Sequence, residues 1–152
     1  MQQQLTNKQT RRRGYIMTLS LLAMCTTAYA VDNPNLSGQW IGNSLLEGQH
    51  ETAKTTLSLG ALDADDATLR IEDRSVCTLQ QGTYSARQNA DGAAAWSLTF
   101  KQAHGGEACE RLARGEFSLH SGARPRSIEF DVTYPARDGT QNHRKGVLNH
   151  YP

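Results

Sequence analysis

The sequence predicts an all-β protein: a single antiparallel barrel of eight strands, or a sandwich of the same strands, with one disulfide joining Cys77 and Cys109. Three observations lead there. After Val31, apolar and polar residues alternate with a period of two, and the i, i+3, i+4 pattern of an amphipathic helix is almost missing. Turn residues punctuate the chain at the short intervals that hairpins need. Finally, only two cysteines follow the leader at the start of the chain.

That leader has a recognisable order. Lys8 and the run Arg11-Arg12-Arg13 come with no acid, an apolar stretch extends from Tyr15 to Met24, and Ala28-Tyr29-Ala30 supplies a small-x-small cleavage site. This is the secretory pattern, and its apolar part is too short to span a bilayer. Residues 1–30 are therefore expected to be a cleaved signal peptide and residues 31–152 one domain working in the periplasm or the medium. Leu22-Ala23-Met24-Cys25 loosely resembles a lipobox, which would acylate Cys25, but Met fits badly where that peptidase takes a small side chain. Arg12-Arg13-Gly14-Tyr15-Ile16 somewhat resembles a twin-arginine motif, but an ordinary basic leader is the better reading.

Without the leader, 122 residues remain, enough for one domain that buries roughly two thirds of its unfolded surface. All fifteen acids follow Val31, whereas four of the sixteen Lys and Arg lie before it, so the formal charge of residues 31–152 is −3 with His neutral. A basic nucleic-acid binder is disfavoured on that balance.

The strands follow in order. Residues 38–43 open the domain. Leu57 and Leu59 then alternate with Thr56 and Ser58, and Leu69 and Ile71 with Thr68 and Arg70. Short strands are read at 76–79 and 83–88. Trp96, Leu98 and Phe100 alternate with Ser97, Thr99 and Lys101, and a short strand follows at 116–120. Ile128, Phe130, Val132 and Tyr134 alternate with Glu129, Asp131 and Thr133, and residues 146–151 close the set. The first member of each pair is expected to face one interior and the second to face water. Asn89-Ala90-Asp91-Gly92, His104-Gly105-Gly106, Ser121-Gly122-Ala123-Arg124-Pro125 and Asp138-Gly139 supply the turns, with residues that tolerate positive φ. A helix has room only around residues 44–52 or as one turn near 62–66.

In an oxidising compartment Cys77 and Cys109 are expected to pair. Their spacing is far from C-x-x-C, and no neighbouring His or Cys completes a zinc set. The bridge would tie the strand before the 83–88/94–102 hairpin to the chain entering 116–120.

Leu36-Ser37-Gly38-Gln39-Trp40, opening the first strand of a small exported β chain, resembles the calycin group. That group includes the lipocalins, the avidins and the small periplasmic inhibitors of bacterial metalloproteases. In it, a Gly-x-Trp on the first strand packs its indole across the closed end of a barrel. The resemblance therefore implies a barrel, with Gly38 and Trp40 in structural roles. Only those two residues carry over; the cysteine spacing departs from the metalloprotease inhibitors, and no second lipocalin motif follows.

Chemistry-bearing motifs are sparse. The five histidines are scattered, and His143 and His150 fall on opposite faces of a regular strand, so surface roles are expected and no metal site. Asp63-Ala64-Asp65-Asp66 lacks the Gly and Glu that a calcium loop needs at its sixth and twelfth positions, where Thr68 and Arg74 stand. There is no G-x-S-x-G, H-E-x-x-H or P-loop, so neither catalytic residues nor a cofactor are expected. Charge is uneven: Asp63, Asp65, Asp66, Glu72 and Asp73 fall in one third of the chain, and Arg111, Arg114, Arg124 and Arg126 in another. The four arginines are read as an electrostatic face for an acidic partner, since Arg forks suit carboxylates. The expected function is thus a non-enzymatic exported binding protein: an inhibitor or immunity factor whose partner is another protein, such as an exported hydrolase. The alternative is a carrier of a small apolar ligand inside the barrel.

Overall fold

A computed structural model describes residues 35–89 and 91–152; the leader, its cleavage site and Cys25 lie outside them. The elements are β1 Gly38–Leu46, β2 Thr52–Leu59, β3 Ala67–Glu72, β4 Val76–Gln88 and β5 Ala94–His104, then α1 Glu107–Ala113, β6 Glu116–Ser121, β7 Ser127–Pro135 and β8 Gln141–Tyr151. Each strand pairs antiparallel with the next, and β8 returns to β1, so the sheet closes into a barrel rather than a sandwich. Among the described residues, closure gives every strand a hydrogen-bonded neighbour on both sides.

The alternation does what a period of two requires. Ile128, Phe130, Val132 and Tyr134 of β7 are buried while Glu129 and Thr133 are exposed, and Trp96, Leu98 and Phe100 of β5 are buried while Lys101 is exposed. Tyr84, Trp96, Phe130, Leu57, Leu69, Leu98 and Leu119 are fully buried and fill the interior. Each such side chain contributes about 1.5–3 kcal/mol by leaving water.

Two expectations need correction. The segments at 76–79 and 83–88 are one strand of 13 residues, interrupted by Gln81 at φ 51°. Leu69 pairs with Leu79 but Ala67 with Gly82, so β4 carries an extra residue there. The bulge switches the inward row from Leu79 to Gly82 and Tyr84, and the broken alternation imitates a strand end. The helix, meanwhile, lies neither at 44–52, which holds the end of β1 and a turn, nor at 62–66. It is α1, led in by Gly105 (φ 141°) and Gly106 (φ 86°) where a hairpin turn was expected. Its seven residues are too few to show a period; Cys109 and Leu112, three apart, are its buried pair.

An antiparallel meander sends alternate hairpins to opposite ends of the barrel. The β2–β3, β4–β5 and β6–β7 connections share one end with the start of β1, and the β1–β2, β3–β4 and β7–β8 connections share the other with α1. At the first end Trp40 is buried, donates from Nε1 to the Leu36 carbonyl at 2.8 Å, and meets the His150 ring edge-on at 5.0 Å between centroids. Gly38 is required there: its φ is 128°, and a Cβ would stand 2.6 Å from His150 Nε2. At the other end the Cys77–Cys109 disulfide, with Cα atoms 5.4 Å apart, ties α1 to the start of β4.

Candidate functional site

At the helix end the inward rows turn polar. Ser44 of β1, Thr55 of β2 and Arg144 of β8 are buried at positions that elsewhere hold leucine or an aromatic ring. They form one network. Arg144 Nη1 donates to Ser44 Oγ at 3.1 Å, and Nη2 to Asp73 Oδ2 at 2.8 Å, just past β3. Ser44 Oγ and Thr55 Oγ1 lie 2.7 Å apart. The β1–β8 approach needs Gly146, because a Cβ there would sit 2.3 Å from the Asn43 carbonyl oxygen.

Above this network lies a cleft of about 270 Å³ between α1 and the barrel mouth. Leu112, Tyr134 and Ile71 give it an apolar wall, and Arg74, Arg111, Arg144 and Asp73 also line it; Arg144 is paired with Asp73, and Arg111 with Glu107. Arg111 reaches in from α1, with Nη1 donating to Glu107 Oε1 at 2.5 Å, while its Nε is buried with no hydrogen-bond partner. Cys77 and Cys109 also line the cleft, but the disulfide leaves them no thiolate to attack with.

The hydrogen bond from Arg144 holds the Asp73 carboxyl below the usual carboxylate range; partial burial opposes this, and the Arg74 backbone N–H adds to it. A lowered folded-state pKa stabilises the fold above the ordinary Asp pKa of about 3.9, and that contribution is lost as pH falls through the folded value. Removing one member of a buried ion pair destabilises, because the remaining charge is left without its partner. Asp73 is about a third exposed, which moderates the cost, so Arg144→Met is expected to lose about 1.5–3 kcal/mol of unfolding free energy at neutral pH. The loss should shrink as pH falls and Asp73 is protonated, and urea denaturation at several pH values checks both. An unchanged stability at neutral pH would mean that the pair does not stabilise the fold.

The four arginines read from the sequence do not form one face. Arg111 lies in α1 and Arg114 caps it at the helix end, whereas Arg124 and Arg126 lie in the β6–β7 hairpin at the Trp40 end. The six residues of β6 separate the pairs by about 20 Å along the barrel. Adjacency in sequence misled because a strand between two loops carries them to opposite ends. Arg124 and Arg126 are exposed beside a second depression, of about 430 Å³, that includes Trp40 and His150. They remain solvated, whereas Arg144 and Arg111 are held by neighbours.

Elsewhere the polar clusters are occupied. Asp63 accepts from Ser85 at 2.5 Å, and Asp65 from Thr83 and Lys101, so the β2–β3 loop is tied to β4 and β5. His143 lies between Asp131 and Glu47 on the outer surface, at 2.8 and 3.4 Å. Among the described residues no group of three His, Cys, Asp or Glu is placed to hold a metal, and no helix is long and apolar enough to cross a membrane.

Arg144 was not singled out from the sequence; Asp73 was read only as one of a cluster of acids, and Arg74 only as a mismatch to a calcium loop. One signal existed: extending the last strand back to Gln141 puts Asn142, Arg144, Gly146 and Leu148 on one row, with a guanidinium facing the core. Compared with known families, characterised proteins and solved structures, the chain matches none.

Proposed function

We propose that this chain is a non-enzymatic exported binding protein, an inhibitor or immunity factor that seats a projecting acidic element of another protein at its helix end. An exported hydrolase is the partner class this favours, since a rigid plug without chemistry of its own suits the mouth of an active site. The carrying observation is the cleft, which Arg74, Arg111 and Arg144 line with Asp73 as its one acidic lining residue, on a rim held by Cys77–Cys109. Recognition on loops and a short helix leaves the core undisturbed. The filled interior favours this over the carrier reading, because Trp96, Phe130 and Tyr84 occupy the space a ligand would take. Export rests on the leader, and a disulfide agrees with an oxidising compartment. Burial of Trp40 at the opposite end agrees with the calycin resemblance.

The test is capture of a partner from periplasmic extract on immobilised protein, with two double variants. Arg74→Ser with Arg111→Ser should lose the partner, and Arg124→Ser with Arg126→Ser should keep it. Capture by the wild type should weaken steeply with salt, since exposed charges are screened beyond about 8 Å at physiological ionic strength. The reverse pattern would move recognition to the Trp40 end. A small apolar molecule copurifying with the protein, and no partner sensitive to either pair, would establish the carrier.

A further inference from the structure

We propose a second binding site at the Trp40 end, in the depression beside the β6–β7 hairpin, that takes a phosphomonoester dianion on Arg124 and Arg126. It goes beyond the reading of the helix end as the recognition surface and does not depend on it.

Two independent features carry it. The first is the backbone of Arg126. Its φ is 57°, in the left-handed region where Gly or Asn sits at less cost than a long side chain. The turn is fixed around it. Gly122 N–H donates to the Ser127 carbonyl at 2.9 Å, Ser127 Oγ to the Arg124 carbonyl at 2.7 Å, and His150 N–H to the Arg126 carbonyl at 2.9 Å. The Arg126 side chain does not serve the fold: it is exposed, and among the described residues it makes no ion pair. A strained position that carries a side chain the fold does not use marks a place for function. The second feature is the depression itself, of about 430 Å³, which Arg124, Arg126 and His150 line and no Asp or Glu does. The acids at the same end are Asp63, Asp65, Asp66, Asp91, Glu129 and the Pro152 carboxylate, and none lies within 4.0 Å of either guanidinium. Asp63 and Asp65 are engaged instead by Ser85, Thr83 and Lys101.

The same residues choose among anions. Both arginines are exposed at the rim, so their guanidinium groups are accessible to a ligand seated there. Two such groups match a doubly charged ligand, whereas a carboxylate or a sulfate ester brings one charge. A phosphomonoester carries about −1.5 to −2 at neutral pH on three terminal oxygens, which gives acceptors to both forks. Half-buried His150, backed edge-on by Trp40, offers a ring against which the organic part of the ester packs. The phosphomonoester has two possible sources: a free small ester, or the headgroup of a lipid.

The experiment follows backbone amide signals and the Trp40 indole N–H by NMR during titration with phenyl phosphate and, as the singly charged match, phenyl sulfate. The expected result is a saturable shift of residues 122–127 and of Trp40 with phenyl phosphate, and binding of phenyl sulfate at least roughly tenfold weaker, as the lost charge-assisted hydrogen bonds imply. Arg126→Gly suits the left-handed backbone, so its thermal midpoint should not fall, yet phenyl phosphate should bind at least roughly tenfold less tightly. Arg124→Ser, outside the strained position, should weaken binding likewise. Given that shift, sedimentation with phosphatidylcholine vesicles that contain phosphatidic acid, lost in Arg126→Gly, assigns the phosphate to a lipid headgroup; no sedimentation assigns it to a free ester. Residues 122–127 unmoved by phenyl phosphate, equal binding of phenyl sulfate, or unchanged affinity in both variants overturns the proposal.

Discussion

Phe130→Ala is expected to cost about 3–5 kcal/mol of unfolding free energy. Phe130 is 1 % exposed and projects from β7 into the middle of the barrel. Its ring stands 6.0 Å from that of Phe117, which meets Phe100 edge-on at 5.2 Å. Removing it deletes the transfer energy of a phenyl group and leaves a cavity. A closed sheet resists collapse onto that cavity, because each strand is hydrogen-bonded on both sides, so the upper part of the range is expected. Glu129→Ala, one residue away and exposed, should lie within about 0.5 kcal/mol of the parent. It is a cleaner control than Asp131→Ala, because Asp131 is bonded to His143. Urea denaturation of the two variants measures the contrast. Equal losses would mean that the inward row of β7 is misassigned.

Removal of the disulfide is the second large effect. Cys77 and Cys109 are 32 residues apart, and closing a loop of that length stabilises by about 3.5–4 kcal/mol in the chain-entropy model. The double variant Cys77→Ser, Cys109→Ser is therefore expected to lose about 2–5 kcal/mol. The effect should also be local. α1 has seven residues, too short to hold a helix unaided, and buries only Cys109 and Leu112 against the barrel. Without the bridge, amide exchange should rise in Glu107–Ala113 and at the start of β4, while the Trp40 end keeps its protection. Mass spectrometry of unreduced protein should show the two cysteine peptides linked, and two free thiols would contradict the pairing.

The barrel was legible because alternation is a local signal that burial enforces residue by residue. The β7 row of Ile128, Phe130, Val132 and Tyr134 needs no tertiary knowledge to read. Gln81 shows where that reading stops: one residue with positive φ shifts the inward row of β4 and makes one strand look like two. The helix was hidden for a different reason, since two turns of chain give one i, i+3 pair and no periodicity. The candidate site was the least legible part. Its guanidinium groups come from the β3–β4 turn, α1 and β8, and only barrel closure brings Arg74, Arg111 and Arg144 to one cleft. Local clustering grouped Arg111, which lines the cleft, and Arg114 with Arg124 and Arg126, which the meander carries to the far end.

The central claim is that recognition takes place at the helix end. Amide hydrogen exchange of the protein, free and bound to its captured partner, tests it most directly. Slowed exchange is expected in the β1–β2 turn around Gln49, in residues 73–75 and along Glu107–Ala113, with no change around Arg124 and Arg126. Protection confined to the β6–β7 hairpin and the start of β1, with α1 exchanging as in the free protein, would contradict it.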